Sequence, residues 1–413
     1  MRLSAVAMLV ALAGALAVPA SAQNGTLLAA WTQIGRGDAV LARAIVRGNC
    51  PTLDVDGRSI PMRVRAAPSS AFDVSSCEVR IPPGARRLSL LGRELPPPPQ
   101  HVRTIAVLGD SGCRIELIFI QACNDPNKWP FPPIAKLIAN ARPDLVVHVG
   151  DYYYRETACL VPGCAGSPHG DNWAVWAADF FTPAAPMLAV APVLAVRGNH
   201  EDCTRGGIGW DRFLSVYPYG ACSLHEPAYA TSVGDMRFFV LDSSSALDPR
   251  PSTRLTPAFR SDFARLRALP PATTWLVSHR PMWGVDATLT GATLAINRTL
   301  EAAEGNARTL PIELALSGHI HLFEALSFAD HRPPQVIVGT GGDTLSNVPG
   351  HFFGESIDGT RVVAGAVRHS FGFAIFHLDR HTFDVYDRTG AKVFVCRYAT
   401  GTLGCRAITA TGK

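Results

Sequence analysis

Five short apolar runs recur along the chain from residue 102 onward, and they constrain the fold more than any other feature. The runs are RTIAVLGD, PDLVVHVGD, PVLAVRGN, TTWLVSH and PIELALSGH. Each is mostly apolar and β-favouring, which is typical of strands covered on both faces. The stretches Pro132 to Ala141, Trp173 to Phe181 and Pro257 to Ala268 lie between runs and predict helices. This alternation predicts an α/β domain.

Every run ends in a residue that can bind a metal ion. These residues are Asp110, Asp151, Asn199, His279 and His319. Ligands of open α/β sheets gather outside the carboxyl ends of the strands, so we expect the five side chains to converge on one edge of the sheet. Asp and Asn are common turn residues at strand ends, but two histidines are not. The pattern therefore favours a metal site over core packing.

The same positions fall within a series of short motifs. In order, they are GDSG (109–112), GDYYY (150–154), GNHE (198–201), VSH (277–279) and GHIH (318–321). This series resembles the calcineurin-like metallophosphoesterases, and within them the purple acid phosphatases, over about residues 102 to 380. The resemblance implies a four-layer α/β/β/α metallophosphoesterase sandwich.

One substitution favours the purple acid phosphatases within that superfamily. Many members carry a metal-binding histidine two residues after the first aspartate, where this chain has Gly112. A site that lacks one ligand needs another donor. Tyr154, three residues after Asp151, is placed to supply a phenolate from the adjacent turn. The loss of histidine together with the gain of tyrosine predicts a tyrosine-ligated site.

The predicted donors divide into two sets that share one carboxylate. Asp110, Tyr154 and His321 hold one metal, Asn199, His279 and His319 hold the other, and Asp151 bridges the two. Hard oxygen donors in the first set suit Fe³⁺, whereas the imidazole-rich second set suits Zn²⁺, Fe²⁺ or Mn²⁺. Because alternate residues of an extended segment point the same way, both histidines of GHIH are expected to face the metal pair.

The implied reaction is hydrolysis of a small phosphate monoester by direct attack of a metal-bound hydroxide. By resemblance, His200 lies beside the phosphate and stabilises charge or protonates the leaving oxygen. Its alternative is a structural role, hydrogen-bonded to Glu201 or Asp202. A phosphodiesterase or nucleotidase with the same metals stays open, as does a non-catalytic metal or phosphate binder. The oligomeric state is not predicted.

The letters GDSG also surround the nucleophilic serine of chymotrypsin-like proteases. In that order the base histidine and the aspartate precede the serine, yet the only histidine before Ser111 is His101. We therefore expect Ser111 to be a turn residue. His148, inside a predicted strand, is expected to be a core histidine. Arg155 and Arg280 are expected either to contact phosphate from the rim of the site or to form ion pairs at the surface.

The first 22 residues predict a cleavable secretory signal, because one Arg precedes an apolar run that ends at Ala20-Ser21-Ala22. The apolar run is shorter than the roughly 20 residues of a membrane-spanning helix. We expect a secreted or periplasmic protein without stable membrane insertion. Ten cysteines, an even number, favour disulfides in such a compartment. Their spacing favours near-neighbour pairs, namely Cys50 with Cys77, Cys113 with Cys123, Cys159 with Cys164, Cys203 with Cys222, and Cys396 with Cys405.

The rest of the chain divides by composition. Residues 23–95 contain short alternating runs broken by Gly and Pro, which predict a small β-rich N-terminal module. Residues 96–101 form a Pro-rich linker, 102–395 the metallophosphoesterase domain, and 396–413 a C-terminal tail with a disulfide. The formal charge is only +4 and basic residues are scattered, which argues against a nucleic-acid partner.

Overall fold

The computed structural model describes residues 25–287, 293–295, 297–348 and 353–408. The predicted signal peptide at residues 1–22 lies outside this range. The first strands are β1 (Thr26–Ile34), β2 (Val40–Arg47), β3 (Thr52–Val55), β4 (Arg58–Pro61), β5 (Arg63–Ala66), β6 (Ser75–Arg80), β7 (Leu88–Leu90), β8 (Arg93–Leu95) and β9 (Thr104–Leu108). They are followed by β10 (Ile115–Glu116), β11 (Phe119–Ile120), β12 (Leu145–His148), β13 (Val193–Ala195), β14 (Tyr229–Val233), β15 (Met236–Leu241), β16 (Thr274–Ser278), β17 (Val285–Ala287) and β18 (Thr293–Ala295). The last strands are β19 (Leu314–Ser317), β20 (Phe323–Phe328), β21 (Gln335–Val338), β22 (Ser356–Ile357), β23 (Thr360–Arg368), β24 (Gly372–His377), β25 (Thr382–Asp387), β26 (Lys392–Ala399) and β27 (Thr402–Ala407).

The three predicted helical stretches are helical. The helices are α1 (Phe131–Ala141), α2 (Trp173–Trp176), α3 (Thr182–Leu188), α4 (Gly207–Phe213), α5 (Thr256–Arg267) and α6 (Arg298–Glu304), of which α3, α4 and α6 were not predicted. Helix α1 begins with prolines in its first turn, where no backbone hydrogen is needed, and ends at Arg142 in a left-handed conformation. The side chain of Asn172 caps α2 by accepting a hydrogen bond from the backbone of Val175. A π-helical stretch, Ala177–Phe181, joins α2 to α3.

Two large sheets organise the fold. The first sheet has the order β27-β26-β25-β24-β9-β12-β13-β1-β2-β6-β5, and the second has β14-β15-β16-β19-β21-β20-β23-β22. Strands β9, β12 and β13 are parallel neighbours in the first sheet. Strands β15, β16, β19 and β21 are parallel neighbours in the second. The five apolar runs are therefore strands, as predicted, and three lie in one sheet and two in the other.

The sheets pack face to face because side chains alternate along each strand. Ile105 and Val107 of β9 enter an apolar cluster with Trp275 and Val277 of β16 in the opposite sheet. Ala106 of β9 points the other way, into a cluster with residues of α1, α3 and α4. On the far side, α5 and α6 cover the outer face of the second sheet. The result is the expected α/β/β/α sandwich.

This arrangement corrects one expectation about the site. The five strand ends do not meet at one edge of a single sheet, since β9, β12 and β13 belong to the first sheet and β16 and β19 to the second. They meet because the carboxyl ends of both sets of parallel strands lie on the same side of the sandwich. Packing between the sheets therefore assembles the site.

The strands at both ends of the chain extend the first sheet. Gln33 of β1 pairs in parallel with Val193 of β13, and β2, β6 and β5 continue outward from β1. Strands β3, β4, β7 and β8 form a separate four-stranded sheet. At the other end, β26 and β27 form the opposite edge of the first sheet. The division of the chain at residues 96–101 stays a prediction, although strands from both of its sides share one sheet.

The cysteine pairs are those that the spacing favoured. The disulfides join Cys50 to Cys77, Cys113 to Cys123, Cys159 to Cys164, Cys203 to Cys222, and Cys396 to Cys405. The predicted near-neighbour connectivity is confirmed. Across the part of the chain that the structure describes, no helix has the length and apolar character needed to cross a membrane.

Candidate metal centre

Three of the turns that follow the carboxyl ends of the parallel strands adopt an unusual backbone conformation. Asp110, Asp151 and His319 have φ values of 57°, 58° and 71°. Few residues other than glycine occupy this left-handed region, and such conformations concentrate at functional sites because the surrounding structure must hold them. Each turn follows directly from a buried strand. The turns thus deliver these side chains toward the space where the two sheets meet.

The first predicted donor set is brought together around the hydroxyl of Tyr154. This oxygen lies 3.3 Å from Oδ1 of Asp110 and 3.1 Å from Nε2 of His321. It also lies 2.7 Å from Oδ2 of Asp151, the residue expected to bridge. His321 Nε2 is in turn 3.2 Å from Oδ1 of Asp110. Four potential ligand atoms therefore surround one point.

The second donor set adjoins the first through the same aspartate. Nε2 of His279 lies 3.0 Å from Oδ1 of Asn199 and 3.2 Å from Oδ2 of Asp151. Ligand atoms of Asp110, Asp151 and His279 all lie within 4.8 Å of one another. The ring of His319 is close by, with its centroid 5.2 Å from that of His279. Asp151 therefore contacts members of both sets.

The two histidines of GHIH do not follow the alternation expected of an extended segment. The φ of 71° at His319 breaks the extended conformation. His321 reaches Tyr154 and Asp110, whereas Nε2 of His319 lies 3.1 Å from Oδ2 of Asp248 and 2.8 Å from the guanidinium of Arg280. The expectation that an extended backbone aims both rings alike is wrong, because the segment is a turn.

The chemistry of these donors fits a metal pair. Asp110 and Asp151 are buried, and among the described residues neither forms a salt bridge with Lys or Arg. Buried carboxylates need compensating positive charge, which the imidazoles of His279 and His321 or a bound metal ion can supply. Nδ1 of His279 bonds the carbonyl oxygen of Val149 at 2.8 Å, and Nδ1 of His321 bonds that of Thr344 at 2.7 Å. These bonds leave both Nε2 atoms for a metal.

The pKa values of His279 and His321 show that the electrostatic potential at this site is negative. Burial is the largest single influence on His279 and lowers its pKa, but the charges of Asp151 and Asp110 and the hydrogen bonds to Asp151 and Val149 together outweigh it and raise the pKa to about 9. In His321 burial is likewise outweighed, by Asp343 and Asp110, and the pKa rises to about 9. The negative potential that retains these protons is the potential that attracts metal ions.

Gly112 explains structurally why tyrosine can occupy position 154. A Cβ atom at Gly112 would lie 2.7 Å from Cδ2 of Tyr154 and 2.8 Å from the carbonyl oxygen of Tyr152. Both separations are too short for real atoms, so a larger residue at 112 would displace the ring. The guanidinium of Arg114 lies over the ring, 4.9 Å from its centroid. Burial and the neighbouring Asp151 and Asp110 raise the pKa of the Tyr154 phenol well above its ordinary value.

Glu201 joins the second and third motifs. Its buried carboxylate accepts hydrogen bonds from the backbone N–H groups of Gly198, Asp151, Tyr152 and Tyr153 at 2.8 to 3.0 Å. The four donors belong to the two loops that carry Asn199 and Asp151. Glu201 therefore fixes these two candidate ligands relative to each other, a role that the sequence did not reveal.

His200 lies against Tyr154, with ring centroids 3.9 Å apart. Its Nδ1 is 2.6 Å from Oε1 of Glu156, and its backbone N–H donates to Oδ1 of Asp151 at 3.0 Å. The guanidinium of Arg205 lies 3.2 Å from either ring nitrogen. The partner of His200 is therefore Glu156, not Glu201 or Asp202 as the structural alternative supposed. Glu156 lies two residues after the GDYYY motif, and this closeness in sequence could have identified it as a residue of the site.

Ser111 does contact a histidine, but it is not an activated nucleophile. Ser111 Oγ lies 2.9 Å from Nε2 of His148, and both side chains are fully buried. Nδ1 of His148 accepts a hydrogen bond from the backbone of Gly150, so Nε2 carries the hydrogen and donates it to the serine. A histidine that donates to serine cannot act as its base. His148 is thus a core histidine, as predicted.

The two arginines that follow ligand residues have different surroundings. Arg155 is buried and bonds Oδ1 of Asp179 at 2.5 Å and the hydroxyl of Ser167 at 2.6 Å. Arg280 contacts Asp248 and His319. Both form ion pairs, but the pair of Arg155 with Asp179 is buried and does not lie at the surface as predicted. Asp248, in the loop after β15, had no sequence signal.

The comparisons with known proteins agree with this fold. The family model for calcineurin-like phosphoesterase matches residues 103–323, which is more than half of the chain. The chain therefore belongs to the calcineurin-like phosphoesterase family. No sequence match is found among curated proteins.

Two solved structures show similar folds. The purple acid phosphatase PPD1 from yellow lupin (Lupinus luteus) seeds has 13% identity and a TM-score of 0.59, covering 93% of this chain and 74% of the lupin chain. PhoD has 10% identity and a TM-score of 0.50, covering 93% of this chain and 92% of PhoD. At these identities the likeness concerns the fold. The predicted resemblance to purple acid phosphatases is confirmed at that level.

Proposed function

We propose that this protein is an exported binuclear-metal phosphatase that hydrolyses small phosphate monoesters. One observation carries the proposal. Oδ2 of Asp151 lies 2.7 Å from the hydroxyl of Tyr154 and 3.2 Å from Nε2 of His279. A single carboxylate oxygen is thus shared by an oxygen-rich and an imidazole-containing donor set, as a bridging ligand would be.

Each metal has its own proposed ligands. The residues Asp110, Tyr154 and His321 would hold Fe³⁺, and Asn199, His279 and His319 would hold Zn²⁺, Fe²⁺ or Mn²⁺, with Asp151 common to both. The raised pKa of Tyr154 supports a trivalent ion, because only a strongly polarising cation converts such a phenol to phenolate near neutral pH. Two bound ions would neutralise the phosphate and activate water for an in-line displacement.

His200 is the proposed proton donor to the leaving oxygen. Its Nδ1 hydrogen is donated to Glu156, so a protonated ring carries its transferable hydrogen on Nε2. That nitrogen lies 4.0 Å from Oδ2 of Asp151, within the same site. Arg205, whose side chain is 30% exposed, adds positive charge beside the ring. These contacts support a phosphate position between His200 and the metal ligands.

Export is proposed from two features. Five disulfides join all ten cysteines, and disulfides persist in oxidising compartments. The N-terminal pattern also resembles a cleavable signal. Expression of the full-length chain, followed by recovery in a secreted or periplasmic fraction of a protein that begins near residue 23, would test this part of the proposal.

Metal analysis combined with paired substrates tests the function. Purified protein is assayed for iron, zinc and manganese, its visible spectrum is recorded, and hydrolysis of an aryl phosphate monoester is compared with that of the corresponding diester. We expect two ions per chain, a visible band from iron and a higher kcat/KM for the monoester. Diester preference would instead indicate a phosphodiesterase. Metal-loaded but inert protein would indicate a non-catalytic binder.

A further inference from the structure

Asp248 lies outside every sequence motif but touches a predicted metal ligand. Its Oδ2 is 3.1 Å from Nε2 of His319, and its Oδ1 accepts a hydrogen bond of 2.8 Å from the side chain of Asn297. The guanidinium of Arg280 also contacts this carboxylate. Asn297 and Arg280 come from separate segments, so the carboxylate is held in place from two sides.

His319 differs from His279 and His321 in which of its two ring nitrogens is available to bind a metal. In His279 and His321, Nδ1 bonds a backbone carbonyl oxygen and Nε2 faces the other ligands. In His319, Nε2 is engaged by Asp248 and Arg280. No residue within the described ranges hydrogen-bonds its Nδ1. Nδ1 is therefore the nitrogen that His319 has left for a metal.

The two neighbours of Nε2 favour opposite tautomers. A carboxylate only accepts hydrogen bonds and a guanidinium only donates them. If Nε2–H donates to Asp248, then Nδ1 has a free lone pair that can bind a metal. If Nε2 instead accepts from Arg280, a neutral ring carries its hydrogen on Nδ1 and cannot bind there. Because Arg280 also contacts Asp248, its hydrogens have an anionic acceptor that is better than the imidazole.

We propose that Asp248 is a positioning residue that holds His319 in the Nε2–H tautomer and so selects Nδ1 as a ligand of the second metal. This inference rests on the proposed binuclear centre. Carboxylates that accept from the distal nitrogen of a ligand histidine fix its tautomer and its orientation, and their loss typically lowers metal affinity 10- to 100-fold. Asp248 acts through His319 and needs no contact with substrate.

Zinc titration of the metal-free, full-length protein tests the role of Asp248. Zn²⁺ affinity is measured in competition with a chromophoric chelator for the wild type, Asp248→Asn, His319→Ala and the double variant. We expect two sites in the wild type and about 10- to 100-fold weaker binding at one of them in Asp248→Asn. The double variant should bind no more weakly than His319→Ala, because Asp248 acts only through that ring.

A matched control exists elsewhere in the fold. Nε2 of His377 lies 3.1 Å from Oδ2 of Asp384, the same contact at the same distance. His377 pairs with Thr104 at the amino end of β9, whereas the metal edge follows its carboxyl end. Asp384→Asn should therefore leave both zinc affinities unchanged. Thermal unfolding of each metal-free variant verifies that the fold is intact.

A second readout measures the tautomer itself. Selective ¹⁵N-histidine labelling of the metal-free protein, with His319 assigned by its absence in His319→Ala, should show hydrogen on Nε2 in the wild type and a shift toward Nδ1 in Asp248→Asn. Unchanged zinc affinity in Asp248→Asn, or an Nδ1–H tautomer in the wild type, would overturn the inference. Fewer than two zinc sites in the wild type would overturn the binuclear centre itself.

Discussion

The hydroxyl of Tyr154 lies 2.7 Å from Oδ2 of Asp151, three residues earlier in the same turn. This contact joins the oxygen-rich half of the site to the carboxylate shared with His279. It exists because Gly112 leaves room for the tyrosine ring.

Tyr154→Phe should remove the visible band of the iron-containing protein and weaken binding of that metal at least tenfold. The variant lacks the phenolate but retains the buried ring, so the fold should persist. Absorption spectra and metal content check this. Tyr153→Phe is the matched control, since Tyr153 is buried beside Trp176 with ring centroids 6.2 Å apart. A coloured Tyr154→Phe protein would remove this tyrosine from the site.

Asp151→Asn should lower the content of both metals, because the carboxylate contacts both donor sets. An amide keeps the size of the side chain but loses the negative charge that a bridge supplies. Elemental analysis after purification measures the effect. Full occupancy of either site would contradict a bridging role.

His200→Ala should retain both metals and lower kcat roughly 10²- to 10⁴-fold, the range typical of a lost general acid. Glu156→Gln should cause a smaller loss, since glutamine can still accept from Nδ1 of His200 but without charge. Steady-state kinetics and metal analysis on the same preparations separate the two effects. Normal turnover in His200→Ala would show that His200 is structural.

Gly112→Ala should displace the Tyr154 ring, because the new Cβ would lie 2.7 Å from Cδ2 of that tyrosine. Overpacking of this kind costs about 1–3 kcal/mol of unfolding free energy. The visible band should weaken together with stability. Gly404→Ala is the control, as a Cβ there would meet no atom within 4 Å. Equal stability and colour in the two variants would contradict the steric coupling of positions 112 and 154.

His148 should make the protein acid-sensitive. Burial, with a further contribution from His279, lowers the pKa of His148 to about 3. Its ordinary value of about 6.5 applies in the unfolded chain. Because the folded pKa is the lower one, the unfolded state binds more protons between these values, and stability falls as pH drops below about 6.5.

The measurement is urea unfolding at pH 7 and pH 5 for the wild type and His148→Gln. Glutamine can donate to Ser111 in place of Nε2 but does not titrate. The loss of stability between the two pH values should be smaller in the variant by roughly 2 kcal/mol. An identical loss in both proteins would assign the acid sensitivity to other groups.

The convergence of the motif residues could be predicted from the sequence because each motif lies at the end of a strand. Asp110, Asp151 and Asn199 each follow a buried parallel strand, and such strands align their carboxyl ends. The near-neighbour disulfides were likewise predictable from short separations, such as the sequence separation of 5 between Cys159 and Cys164. Local spacing was sufficient in these cases.

The sequence by itself determined the strands, since these depend on apolar periodicity, while its short motifs predicted the ligand residues and their resemblance to calcineurin-like metallophosphoesterases implied the four layers. Only the tertiary structure decided that two sheets share the site, that Glu156 pairs with His200, and that Asp248 meets His319 across 71 residues. The physical reason is that loop conformation and packing between sheets bring these groups together. No periodic pattern in the chain encodes which loop side chain will face which imidazole.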